Sequence, residues 1–163
     1  YRRQRQMCIR DRGYYMNIRK ASREDLSRIG EIYVFNNRAN YYPVFKDKIY
    51  SFSKLQVISI IDEYFKFDEV LESIYVFDDG LVSAFMEIKE TEICKLYVDP
   101  FFQNSGIGSE LIEFAIKELK TNHLWVLQEN DKAISFYQKH GFHLTNTTMD
   151  IENTNKKIVE MKR

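Results

Sequence analysis

The sequence predicts a mixed α/β fold (α+β): a largely antiparallel sheet of six to seven strands with helices on both faces. Three observations predict it. Strand-length apolar runs and segments of helical spacing follow one another in mixed order. Asp78-Asp79-Gly80 stands between two apolar runs, a strong hairpin signal. Two strand-to-helix units come after it, each punctuated by glycine or asparagine.

Taken in order, Asn17 to Lys20 reads as a first strand, and Ser22 as the cap of a helix in which Leu26, Ile29 and Tyr33 share a face. A broken second helix is expected from about Ser53 to Phe65. Ser73 to Phe77 and Leu81 to Lys89 flank the Asp-Gly turn. The apolar run Ile93 to Val98 then leads into Gln103-Asn104-Ser105-Gly106-Ile107-Gly108, behind which Leu111, Ile112, Ala115, Ile116 and Leu119 recur at helical spacing. Leu124 to Leu127 forms another strand. Asn130 or Asp131 can cap the helix that follows, and Gly141 fits the left-handed position that ends it. Phe142 to Asp150 and Lys157 to Met161 are expected to pair across a turn near Glu152 to Asn155.

Composition narrows the function classes. Residues 1-15 read as a non-native or disordered extension: Tyr1 to Gln6 is basic and without periodicity, and Met7 to Arg12 resembles a translated sequencing adapter. The expected native start is Met16, with 16-163 forming one domain. A basic arm for nucleic acid is the alternative reading of that tail, but no basic patch continues beyond it. Setting the tail aside removes five arginines and one aspartate from 24 basic and 24 acidic residues, leaving 19 and 23 and a net charge of −4. That balance argues against nucleic acid and favours a cationic partner. Cys94 is then the one native cysteine, which fits a reducing cytoplasm. No apolar run approaches membrane-span length, and no signal peptide is visible.

The 103–108 segment is the most informative. A helix N-terminus leaves N–H groups without helical partners and carries partial positive charge, so a pyrophosphate can dock there without a cationic side chain. Gly106 and Gly108 let the backbone approach, and Gln103, Asn104, Ser105 and Ile107 complete the cradle. Neither G-x-G-x-x-G nor G-K-[S/T] occurs in it, which sets dinucleotide and P-loop folds far behind.

Together with Asn130-Asp131-Lys132-Ala133-Ile134-Ser135-Phe136-Tyr137-Gln138-Lys139-His140-Gly141-Phe142, this loop resembles the GNAT superfamily of acyl-CoA-dependent N-acyltransferases. Its hallmarks, Q/R-x-x-G-x-G/A and N-x-x-A-x-x-F-Y-x-x-x-G-F, are both matched in full and in order. The likeness covers roughly Ile18 to Lys162. It implies acetyl-CoA as co-substrate, a fourth and fifth strand that run parallel and splay apart, and backbone contacts from Tyr97 and Val98 to the pantetheine amides. It further implies that Tyr137 is the general acid beside the thioester sulfur and that Asn130 holds the cofactor arm, a role compatible with helix capping.

An alkylammonium near pKa 10.4 is not nucleophilic at neutral pH, so a site must take its proton, stabilise an oxyanion and stabilise a leaving thiolate. The resemblance implies Glu92 as base, directly or through water; an exposed strand-end carboxylate is the competing reading. Some family members carry a glutamate five residues before the asparagine, where this chain has Trp125. Tyr33, Asn37, Tyr41 and Tyr42 lie in the aromatic and amide-rich link that walls the acceptor pocket in the family, with ordinary helix packing as their alternative. His123, His140 and His143 have no metal-ligand spacing, and no metal is expected. Cys94 reads as a small strand hydrophobe rather than an acyl carrier. The expected function is transfer of acetyl from acetyl-CoA to a primary amine, small or on a peptide, by direct attack; a non-catalytic acyl-CoA-binding module is the alternative. Edge strands near the C-terminus make a homodimer an expectation as well.

Overall fold

The computed structural model describes residues 15–163; the expectations for residues 1–14 lie outside them. Contacts gather into two compact units. Among the described residues, one holds 15–87 together with Lys95–Leu111, and the other holds Ile88–Cys94 and Ile112–Arg163.

In the first unit, β1 (Ile18–Lys20) pairs antiparallel with β2 (Ile74–Asp78), which pairs antiparallel with β3 (Val82–Lys89), next to which runs the second half of β4 (Glu92–Val98). The β2–β3 turn forms as its Asp-Gly signal predicts: Gly80 adopts φ +116, and its N–H donates to Asp78 Oδ1 at 3.0 Å. Ser22 is the N-cap of the helical segment, in a capping box with Asp25. The Asp25 carboxylate, at the end of a single 3-10 turn (Arg23–Asp25), accepts from the Ser22 N–H at 2.8 Å. Arg19 clamps that carboxylate at 2.7 and 2.9 Å and reaches Asp78 as well. Then comes α1 (Leu26–Asn40), whose buried Ile29 and Ile32 pack with Phe65, Val70, Ile74, Val76, Val82 and Phe85.

After α1 come α2 (Tyr42–Phe45), a π turn (Tyr50–Lys54), α3 (Val57–Ile60), a second π turn (Ile61–Phe65) and α4 (Asp68–Leu71), and the broken helix expected from about Ser53 to Phe65 falls on α3 and the π turns beside it. The break has a backbone cause. Gln56 is extended at φ −119, ψ 153, so nothing helical continues across it. Gly30 lets α3 approach α1: a Cβ there would lie 3.0 Å from Val57 Cγ1 and 3.1 Å from two Ile61 atoms.

In the second unit, the first two residues of β4 pair parallel with β5 (His123–Leu127), as Glu92↔His123 and Ile93↔Leu124. β5 then pairs antiparallel with β7 (Lys157–Lys162), and β7 with β6 (His143–Asp150), whose register shifts between Leu144 and Thr148. Among the described residues the strands thus number seven, mostly antiparallel. The helix α5 (Ile107–Lys117) runs from one unit into the other, burying Leu111, Ile112 and Ala115 of its expected stripe. It is followed in the second unit by α6 (Asp131–Lys139).

Candidate active site

The loop before α5 is built from the end of β4 outward. Asp99 N–H donates to the Ser83 carbonyl at 2.8 Å, extending the β3–β4 edge by one residue. The Asp99 carboxylate accepts from Phe101 N–H at 2.9 Å, capping a 3-10 turn (Pro100–Phe102), and pairs with Arg28 of α1, also at 2.9 Å. Proline at the turn's first position sacrifices no bond. Asn104 at φ +61 and Gly106 at φ +87 then reverse the chain into α5, whose first helical bond runs from Glu110 N–H to the Gly106 carbonyl. A Cβ on Gly106 would meet nothing within 4 Å, so the glycine serves backbone conformation rather than close packing. The opening turn of a helix is where backbone N–H groups cannot all be bonded within the helix and where its dipole is positive, the environment that the expected pyrophosphate cradle requires.

Gln103 does not point its amide outward. Its Nε2 donates to the Val98 carbonyl at 3.1 Å, and Asn36 of α1 donates to the same oxygen at 2.9 Å. Both lone pairs of that carbonyl are engaged. By strand alternation, the bond from Asp99 to Ser83 turns the backbone groups of Tyr97 toward β3 and those of Val98 toward the opposite edge. Of the two residues expected to meet pantetheine, Val98 therefore presents its N–H on that edge. Tyr97 contributes its ring, packed at 5.7 Å from both Tyr33 and Phe85.

The four expected acceptor-pocket residues lie in this same unit. Tyr33 is edge-on to Phe65 at 5.4 Å; burial raises its phenol pKa, opposed by the nearby positive charge of Lys95. Asn37 is buried and donates to the Tyr33 carbonyl within α1, which gives it a structural task. Tyr41 stacks on Phe45, and Tyr42 meets Phe52 edge-on at 5.0 Å, both half-exposed.

The second unit holds Glu92, Asn130 and Tyr137. Glu92 heads β4, half-exposed, and accepts from the Cys94 thiol at 3.4 Å, so the two side chains share one face of the strand. Asn130 Oδ1 accepts from Ala133 N–H at 3.1 Å, the cap that its sequence position predicts. Tyr137, half-exposed in α6, is fixed by Phe136 at 5.2 Å and Phe142 at 6.0 Å, and its carbonyl accepts from both His140 and Phe142. Gly141 sits at φ +89 as expected.

Sequence reasoning missed Asn36, Asp99 and Arg28, which set the loop from positions 62 to 71 residues apart in the chain. It also passed over Glu87, fully buried on β3 and bonded by Tyr64 and Lys95. The one signal was present: a carboxylate embedded in the run Val82 to Ile88.

Comparison with known proteins gives a consistent picture. A family model described as the acetyltransferase (GNAT) family matches residues 31–142. A spermidine N(1)-acetyltransferase of Thermoplasma acidophilum is 27% identical over 146 residues, 81% of this chain and 91% of that protein. The peptidyl-lysine N-acetyltransferase YjaB of Escherichia coli is 36% identical over 65 residues, 38% of this chain and 42% of its own. An uncharacterised N-acetyltransferase of Methanocaldococcus jannaschii is 39% identical over 70 residues, 40% of this chain, and the match spans 31% of that protein's length. Among solved structures, apo YjaB superposes with a TM-score of 0.68 at 19% identity, covering 89% of this chain and 95% of that one. The PaiA N-acetyltransferase of T. acidophilum in complex with coenzyme A gives 0.64 at 24%, covering 90% and 98%.

Proposed function

The chain belongs to the acetyltransferase (GNAT) family, and from that premise we propose that it transfers the acetyl group of acetyl-CoA to a primary amine by direct attack, without a covalent enzyme intermediate. The observation that carries the reading is the left-handed Asn104–Gly106 turn set at the N-terminus of α5. Acetyl-CoA supplies an acyl group on a thiol leaving group. Backbone N–H groups of residues 106 to 108 bind its pyrophosphate, held in place by the Arg28–Asp99 pair and the tucked Gln103. The Val98 N–H and the Asn130 amide orient the pantetheine arm. Tyr137 holds a proton at its phenol oxygen for the departing sulfur, and the aromatic contacts on either side fix its ring.

Glu92 takes the proton that an ammonium must lose before it can attack, directly or through water. Cys94 donates to that carboxylate and is read as its neighbour rather than as a nucleophile. Acceptors named for the relatives, spermidine and peptidyl-lysine, are both primary amines on flexible apolar stems, which supports an acceptor of that chemistry here. Tyr33, Tyr41 and Tyr42 form its aromatic wall.

The test is acetyl-CoA consumption with free-thiol release across a panel of small amines and lysine peptides. Wild-type protein is expected to turn over at least one, and Tyr137→Phe to lower kcat by about 10²–10⁴-fold with acetyl-CoA affinity retained. Tight acetyl-CoA binding with no turnover on any acceptor would point instead to a binding module.

A further inference from the structure

The β3–β4 pair in the first unit contains a charge cluster that the transfer chemistry above leaves unused. Glu87 is 0% exposed. Its Oε1 accepts from the Tyr64 hydroxyl at 2.6 Å, and its Oε2 accepts from Lys95 Nζ at 2.7 Å. Lys95 Nζ also donates to the Tyr64 hydroxyl oxygen at 3.1 Å and stands 4.4 Å over the centre of that ring. Phe65 lies edge-on behind Tyr64 at 5.2 Å, and Phe85 backs Phe65 at 5.6 Å.

Three separate elements here recognise one ammonium group: a desolvated carboxylate, a neutral oxygen acceptor and a π face. Each addresses the head of the Lys95 side chain, and none depends on the stem being tethered to β4. The Lys95 side chain is 20% exposed, so part of the side chain that meets Glu87 reaches solvent. An ionised carboxylate buried to this degree is costly without a counter-charge, which favours exchange of one ammonium for another over loss of the ammonium.

We propose that Glu87 and Tyr64 form a binding subsite for a primary alkylammonium, and that Lys95 is its in-chain occupant, displaced when the cationic end of an amine ligand enters. The proposal rests on the amine-acceptor reading for its biological ligand: it assigns that ligand an ammonium on an unbranched apolar stem. A neutral or carboxylate head leaves Glu87 without a counter-charge, so the subsite selects an ammonium head over acidic or uncharged ones.

The experiment is chemical rescue of stability, carried out without acetyl-CoA so that it stands apart from turnover. Lys95→Ala and Lys95→Met remove the tethered ammonium, and n-butylammonium chloride supplies the same head on the same four-carbon stem. At a concentration about a hundredfold above its dissociation constant, n-butylammonium is expected to raise the Tm of Lys95→Ala by about 5–10 °C over butanol at equal concentration and sodium chloride at equal ionic strength. Lys95→Met keeps the stem filled, folds without the cavity of the alanine variant, and is expected to show a smaller rise of the same sign. The double variant Glu87→Gln, Lys95→Met has no carboxylate to neutralise and is expected to show none. If neither single variant gains more from n-butylammonium than the double variant does, the subsite does not exist. Rescue without acetyl transfer on any acceptor would leave the subsite standing and remove the transferase reading; turnover without rescue would do the reverse.

Discussion

Gly106 and Gln103 show how little side chain a phosphate site requires. The glycine is needed for its φ of +87, since space for a Cβ exists. Gly106→Ala therefore isolates backbone strain, at a cost of about 1–3 kcal/mol in the loop conformation. Gly106→Asp adds a carboxylate facing the expected pyrophosphate. Titration calorimetry is expected to show acetyl-CoA affinity falling in both variants and further in the aspartate one, and equal affinity in all three proteins would remove the loop from the cofactor site. Single residues were also where sequence reading served best. Asn130, Gly141 and Gly80 each do a local task, a cap or a positive φ, which neighbours in the chain dictate. Asn36, Asp99 and Glu87 do tasks set by partners 62, 71 and 23 residues away, and no local pattern encodes those.

Between residues 41 and 71 the elements are short, and here the sequence was least legible. Aromatic residues crowd 41–52 and 64–67 and blur the helical periodicity there, and the two π turns have no simple composition signature. Packing decides instead. Arg38 of α1 donates to the Ser51 and Leu55 carbonyls, closing the first π turn, and lies over Phe35 and Phe52 at 5.9 and 5.5 Å. The approach of α3 to α1 depends on Gly30, where Val57 and Ile61 occupy the space a side chain would take. Gly30→Val is expected to destabilise the protein by about 1–3 kcal/mol through overpacking, seen as a lower midpoint in urea with an unchanged slope. An unchanged midpoint would mean that α3 is not held at that distance in solution.

Acid stability belongs to the molecule as a whole, because one network joins β1, the start of α1 and the end of β2. Burial works against the charge on Asp25, but hydrogen bonds from Arg19 and the Ser22 N–H outweigh it and hold its pKa below the ordinary 3.8. A depressed carboxylate contributes its stability in full above the ordinary value and loses it as pH falls through the lower, folded one. Asp25→Asn is expected to lower stability by about 1–3 kcal/mol at neutral pH and to flatten the fall in Tm below about pH 4. Parallel acid profiles for the two proteins would show that other carboxylates govern the transition. Among the described residues no helix is long and apolar enough to cross a membrane.

That same network sets a timetable for synthesis. Arg19 emerges from the ribosome with Asp25 six positions behind it, but its second carboxylate partner, Asp78, follows only 59 positions later. At about 5–20 residues per second, β1 waits roughly 3–12 s for the strand it pairs with. During that interval the nascent chain already has the residues for the Arg19–Asp25 clamp and the Ser22–Asp25 bond, and β1 can join the sheet only once Asp78 has cleared the exit tunnel.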